Sequence, residues 1–146
     1  MSGEGARVRS ILFACTMNSV RSPMAEALAR RALGEGVEVV SCGVYEGILD
    51  PFVAEVLAED GLPVPTRAPQ DFGHVKPERF DLVVALTPEA AAEARSLGAR
   101  TEFWDTANPT DTRGDREAML AAYRAVRDQL GARIEDRFGE ADPRLS

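Results

Sequence analysis

A cysteine, an arginine and two serines fall within eight residues of one another in the stretch ILFACTMNSVRSPMAEAL, residues 11–28. Cys15 and Arg21 stand six positions apart, with Thr16, Met17, Asn18, Ser19 and Val20 between them, and Ser22 and Pro23 follow. A loop of this size can turn its main-chain N–H groups inward and form a nest for an anion. The helix that opens around Pro23 adds the positive end of its dipole. Arg21 can hold two oxygens of the same anion in a bidentate fork. That field would favour the thiolate form of Cys15 near neutral pH, and Ser22 can donate a hydrogen bond to it. The expected chemistry is attack by a thiolate on a captured tetrahedral oxyanion. Residues 16–21 form the oxyanion-binding set, with Cys15, Arg21 and Ser22 as the catalytic ones.

Competing motifs are poorer. No GxGxxG pattern follows the first apolar run, and no lysine occupies a Walker-type loop. Two cysteines and one histidine do not make a zinc site, so no metal is expected. His74 reads as a surface loop residue, and no histidine near Cys15 supports a Cys-His pair of the papain kind. Cys42 reads as a buried apolar residue or an idle thiol.

The elements that must position this loop are legible around it. Residues 11–14 are a continuous apolar run, as expected of a central parallel strand buried on both faces. Pro23 suits a first helical turn, and apolar cover runs on to Leu33, with Gly34 as the stop. Residues 37–40 read as a second strand. Asp50-Pro51 is a cap followed by a first-turn proline, and Phe52, Val53, Val56 and Leu57 form the stripe of its helix. Residues 81–86 read as a third strand, and Thr87-Pro88-Glu89 opens another helix. A short strand is expected within 99–103, a polar loop over 104–113, and a long helix over 114–138. Met119, Tyr123, Val126, Leu130, Ile134 and Phe138 lie on one face of that last helix. The alternation of strand and helix predicts an α/β three-layer sandwich, a four-stranded parallel sheet flanked by helices. Its binding edge lies beyond the carboxyl ends of the strands, where the Cys15 loop falls. Residues 1–8 and 142–146 read as loose tails on one domain over 9–141.

The chain has 146 residues and 45% apolar content, enough for one real core. Its 24 acidic and 17 basic side chains give a net charge of −7, which argues against a nucleic-acid partner. A buried local site can still be positive on such a protein. Lys76 is the only lysine, a bias better ascribed to the base composition of the gene than to mechanism. No apolar run approaches the roughly 20 residues of a membrane span, and the first ten residues lack a signal-peptide core. A free thiol in a reducing cytoplasm is the expected setting.

The segment CTMNSVRSPMAEA resembles the signature loop of the low-molecular-weight protein tyrosine phosphatase family, which shares its fold with thioredoxin-type arsenate reductases. The element order matches over nearly the whole chain, while the sharp motif is confined to residues 12–27. The resemblance implies Cys15 as nucleophile, Arg21 as oxyanion clamp and Ser22 assisting the thiolate. It implies Asn18 holding the loop in a strained shape, with Ser41 bonded to it. The phosphate-binding loop would then follow the first strand.

The family takes its general acid from an aspartate directly before a proline in a late loop. Here the residue before Pro109 is Asn108, which supplies no proton at pH 7. Asp105 is the candidate replacement and Asp111 the alternative, beside the reading in which neither serves. Tyr45 is expected to wall the pocket on one side. Trp104 is either the opposite wall or part of the core. The arsenate-reducing relatives that work through an internal cascade bring two further cysteines after the third strand, and none is present there. Val20 stands where the eukaryotic-like phosphatases carry a protective second cysteine.

The expected function is a cysteine-dependent phosphomonoester hydrolase acting through a thiophosphate intermediate on Cys15. Its substrate would be a phosphorylated protein or small aryl phosphate, with no cofactor. The alternative is an arsenate reductase drawing electrons from an external low-molecular-weight thiol. The second alternative is a non-catalytic oxyanion-binding protein. No membrane partner is expected, and the state would be a monomer or weak dimer.

Overall fold

The computed structural model describes residues 8–139. The expected tails, 1–8 and 142–146, fall outside those residues except for Val8, which packs partly buried against the core.

Four strands, β1 (Ser10–Cys15), β2 (Glu38–Gly43), β3 (Leu82–Ala85) and β4 (Thr101–Phe103), form one sheet in the order β2-β1-β3-β4. Every pairing is parallel. Four α-helices connect and flank them: α1 (Arg21–Leu33), α2 (Pro51–Glu59), α3 (Pro88–Ser96) and α4 (Arg116–Phe138). Short 3-10 turns lie at Phe72–His74, Pro77–Arg79 and Pro109–Asp111.

Alternation along β1 splits the core in two. Ile11, Phe13 and Cys15 face a cluster completed by side chains of α1, α2 and α4. Leu12 and Ala14 face a second cluster made with Cys42, Phe72, Val75, Phe80 and the alanines of α3. With both faces covered, β1 has to be apolar throughout, which is why its run is continuous rather than alternating. The layers are helix, sheet and helix, as the sequence predicts.

Strand boundaries differ from the sequence expectation by a few residues. β2 runs to Gly43 rather than stopping near 40, because Ser41 and Cys42 pair with Phe13 and Ala14 in the β1 register. β3 and β4 are shorter than the expected segments 81–86 and 99–103. Helix α1 opens at Arg21, so Pro23 is its third residue, still inside the turn whose N–H groups have no partner within the helix. The proline-capped starts hold: Asp50 accepts from Phe52 N–H, and Thr87 from Ala90 N–H.

From the carboxyl end of β1 the chain departs to β2 on one side, while β3 lies on the other. Cys15 is the last residue of β1, so it sits at the switch point where open α/β sheets bind ligands.

Candidate active site

Four carbonyl groups from Cys15 to Ser19 are turned outward, onto the 44–50 segment. Cys15 O accepts from Val44 N–H, Thr16 O from Tyr45 N–H, Met17 O from Gly47 N–H and Ser19 O from Asp50 N–H. In a trans peptide the N–H points opposite to the C=O. The N–H groups of Thr16, Met17, Asn18 and Val20 are therefore turned inward. Among the described residues, no protein acceptor is found for any N–H from 16 to 22. Helix α1 begins in the same place with Val20 at its N-cap, no side-chain cap and no acidic residue in its first turn. A cluster of unpaired donors at a helix N-terminus has the geometry and charge to receive an anion.

The segment that takes up those carbonyls packs close. A Cβ added at Gly43 would lie 2.6 Å from Asn18 N and 2.6 Å from Tyr45 O, so glycine is the residue that lets β2 approach the loop. Asn18 has φ 54°, a left-handed conformation that asparagine tolerates better than most side chains.

Asn18 is held at both ends of its carboxamide. Its Nδ2 donates to Ser22 Oγ at 2.9 Å and to Ser41 Oγ at 3.0 Å, and its Oδ1 accepts from Gln70 N–H at 2.9 Å. Ser41 Oγ in turn donates to Glu26 Oε1 at 2.7 Å. Glu26 is fully buried and is paired with Arg67 and Arg30, each at 2.7 Å. Cys15 Sγ lies 3.0 Å from Ser22 Oγ, which also reaches Cys42 O at 3.2 Å. Thus a buried carboxylate, two serines and an asparagine form one continuous chain ending on the sulfur.

A cavity of about 160 Å³ opens over Cys15, walled by Met17, Ser19, Val20, Arg21, Asn108 and Thr110. Beside it runs a wider groove that shares Met17, Arg21 and Asn108 and adds Glu89, Asp105 and Asp111. Arg21 is half-buried, and its Nη1 donates to Thr106 O at 3.1 Å, which ties the 104–108 segment to the loop. Thr16 Oγ1 donates to Thr87 Oγ1 at 3.2 Å, anchoring the loop to the start of α3.

The predicted residues Cys15, Asn18, Arg21, Ser22 and Ser41 are brought together in this arrangement. Asp105 and Asp111 are exposed and line the groove, not the cavity over the sulfur. Trp104 is not a pocket wall. It is buried in the core, with its ring centroid 6.2 Å from that of Phe13 and 6.1 Å from that of Phe138, and it donates to Glu102. Its position one residue past β4, with its N–H on Ala85 O, turns the side chain to the α4 layer. Tyr45 is 60% exposed beside the loop, and its side chain lines neither cavity.

Cys42 pairs with Ala14 on the opposite sheet face from Cys15 and is fully buried. Burial pushes its thiol well above the usual range, and the neighbouring Cys15 adds to the effect. It is a poor nucleophile with no route to the cavity.

Three residues of this network carried no functional reading in the sequence: Glu26, Arg67 and Gln70. Glu26 had a signal, a carboxylate inside the apolar run Met24–Ala29 with Arg30 four residues on. Arg67 and Gln70 lie in an irregular connection with no periodicity to mark them. Among the described residues, Glu46, Asp71 and His74 bring ligand atoms within 4.8 Å of one another and could hold a metal ion. They lie apart from the cavity, and His74 is already hydrogen-bonded to Asp71 at 2.8 Å.

Residues 10–140 match the family described as low molecular weight phosphotyrosine protein phosphatase. The chain is similar to an arsenate reductase of Bacillus licheniformis, 31% identical over 134 residues covering 90% of this chain and 96% of that protein. It is also similar to a probable low molecular weight protein-tyrosine-phosphatase, EpsP, of Ralstonia solanacearum, 36% identical over 98 residues covering 64% of this chain and 63% of that one. Among solved structures, an arsenate reductase of Archaeoglobus fulgidus superposes with a TM-score of 0.69 at 27% identity, covering 88% of this chain and 98% of that one. A tyrosine phosphatase of Erwinia amylovora shares the fold with a TM-score of 0.76 at 22% identity, covering 90% of this chain and 92% of that one.

Proposed function

This chain belongs to the low-molecular-weight phosphotyrosine protein phosphatase family, and on that premise we propose that it is a cysteine-dependent phosphomonoester hydrolase. The observation that carries the reading is the placement of Cys15 Sγ, 3.0 Å from Ser22 Oγ, at a cavity also lined by Arg21. An anion nest alone has no use for a thiol there, which weighs against a purely oxyanion-binding role.

The phosphate group enters the nest, with its oxygens on the inward N–H groups and on Arg21. The Cys15 thiolate attacks phosphorus; an S–P bond forms, the ester P–O bond breaks, and the electron pair leaves with the alcohol oxygen. Water then attacks phosphorus, the S–P bond breaks, and inorganic phosphate leaves with the thiolate restored. Ser22 donates its hydrogen bond to that departing sulfur. Asn18 and Ser41 are positioning residues that hold the loop. No role as acid is assigned to Asp105 or Asp111, which line the groove and not the cavity. The substrate class is a phosphorylated protein or small aryl phosphate. No cofactor is needed, and chemistry that depends on a free Cys15 thiol calls for a reducing setting such as the cytoplasm. The protein acts as a monomer or weak dimer.

A second reading has its own support: relatives with about 30% identity along most of their length are named arsenate reductases. In it, Cys15 attacks arsenic, an As–O bond breaks and its oxygen leaves as water, and an external thiol then attacks the Cys15 sulfur. Arsenite leaves with the electron pair of the S–As bond, and a mixed disulfide remains for a second thiol to reduce. The external thiol is required because Cys42 is buried on the other face and no cysteine follows β3.

Hydrolysis of p-nitrophenyl phosphate by wild type and by Cys15→Ser tests the first reading. Turnover that vanishes in the variant supports it. No turnover by wild type that still binds phosphate would sink it. Arsenate-dependent oxidation of a small thiol would promote the second.

A further inference from the structure

Asn108 is the N-cap of the Pro109–Asp111 turn, and its carboxamide orientation is fixed. Oδ1 accepts from Thr110 N–H at 3.1 Å and from the Thr110 hydroxyl at 2.8 Å. A main-chain N–H only donates, so the atom facing it must be the oxygen and not the nitrogen. The two hydrogens on Nδ2 are therefore turned away from the turn. Among the described residues, no hydrogen-bond acceptor is found for them.

The same residue lines both the cavity over Cys15 and the adjoining groove. Two residues earlier, Thr106 O is held by Arg21, which keeps this segment against the loop. A donor fixed by two bonds, free of protein partners and standing on the wall of an anion cavity is placed to meet the anion. At neutral pH a carboxamide offers a hydrogen bond but cannot release a proton.

We propose that Asn108 is a specificity-determining residue. Its Nδ2–H binds an oxygen of the captured oxyanion, and position 108 delivers no proton. Hydrolysis is thereby weighted towards phosphate esters of acidic phenols and similar groups, whose oxygen departs as a stabilised anion, and esters of more basic phenols such as tyrosine turn over more slowly. This rests on the phosphomonoesterase reading above. In the first step the S–P bond forms and the P–O bond breaks. The electron pair stays on the leaving oxygen, which takes a proton from solvent after departure. In the second step water breaks the S–P bond and sheds its proton to solvent.

The test is a leaving-group series of aryl phosphates, from p-nitrophenyl to unsubstituted phenyl, with inorganic phosphate as competitive inhibitor. Wild-type kcat/KM is expected to fall steeply as the phenol becomes more basic. Asn108→Asp keeps the oxygen that Thr110 needs and adds an acid. It is expected to gain about 10²-fold on phenyl phosphate, with the gain shrinking towards p-nitrophenyl. Asn108→Ala is expected to bind inorganic phosphate about tenfold more weakly, the loss of one hydrogen bond to a charged group. A shallow wild-type series would overturn the proposal, because another side chain would then be supplying the proton. So would an Asn108→Asp variant that folds and gains nothing on phenyl phosphate, or an Asn108→Ala variant that binds phosphate as tightly as wild type. If neither wild type nor Asn108→Asp hydrolyses any ester while wild type binds phosphate, the esterase reading falls instead. The phosphate affinity of Asn108→Ala then still decides whether Asn108 is a donor to the anion.

Discussion

Ser41 Oγ lies 2.7 Å from Glu26 Oε1, and that contact orders the hydrogens of the whole loop. A carboxylate facing two arginines has no hydrogen to give, so Ser41 donates to it. The Ser41 oxygen is then left to accept from Asn18 Nδ2, whose other hydrogen goes to Ser22. Ser22 accepts there, so its single hydrogen is available to Cys15 Sγ or Cys42 O.

Glu26 is thus proposed to set loop geometry from a distance. Replacing it by alanine leaves Arg67, Arg30 and Ser41 facing a void. Arg30 and Arg67 reach solvent, so the cost falls mainly on the buried Ser41 hydroxyl, which loses its acceptor, at about 1–3 kcal/mol. Chemical denaturation of Glu26→Ala is expected to show a loss of that order. Inorganic phosphate should bind more weakly to the folded fraction. A stability equal to wild type would contradict the network.

Ser22→Ala removes the one hydroxyl beside the sulfur. A hydrogen bond to a charged group is worth about 1.5–3 kcal/mol, or roughly 10- to 100-fold in rate. The loss is expected in the step where the thiolate departs. Stopped-flow traces with a good leaving group should therefore show a burst of phenol followed by slow turnover. A uniform slowing with no burst would place the effect of Ser22 in the first step.

Trp104 and Tyr45 make a paired prediction. Trp104 is buried against Phe13 and Phe138, so Trp104→Ala is expected to lose about 3–5 kcal/mol of stability. Tyr45 is exposed, and Tyr45→Ala should melt close to wild type. If Trp104→Ala kept its Tm and changed only KM, the core assignment would be wrong.

Glu59 of α2 is bonded to Arg124 and Arg127 of α4, and these bonds hold its carboxyl down at about 2, against an ordinary value of 4.5. A depressed folded value means that its contribution is fully present above the unfolded value. It is lost as pH falls through the folded one. The stability gap between wild type and Glu59→Gln should be flat above about pH 5. It should shrink steadily below that and vanish near pH 2. A gap that widens on acidification would contradict the pairing.

Much of this was readable in the chain itself. The β1 run, the proline-capped starts of α2 and α3, and the Cys15–Ser22 loop are local signals, fixed by neighbours a few residues away. Ser41 was reached only through the resemblance. Arg67 and Gln70 meet the loop through tertiary contacts, 41 residues from Glu26 and 52 residues from Asn18. No period or motif encodes such a meeting. Trp104 shows the same limit from the other side. A tryptophan after a short strand is compatible with a wall or a core, and the choice is made by α4, whose Phe138 packs on it.

In the proposed mechanism Cys15 Sγ attacks the phosphorus of a phosphate held by the loop. Rapid-quench mass spectrometry during turnover of an aryl phosphate tests it most directly. One phosphoryl group is expected, trapped on the peptide that carries Cys15, most abundant in Ser22→Ala and missing in Cys15→Ser. Hydrolysis that proceeds in Cys15→Ser, or a phosphoryl group trapped on any other residue, would contradict it.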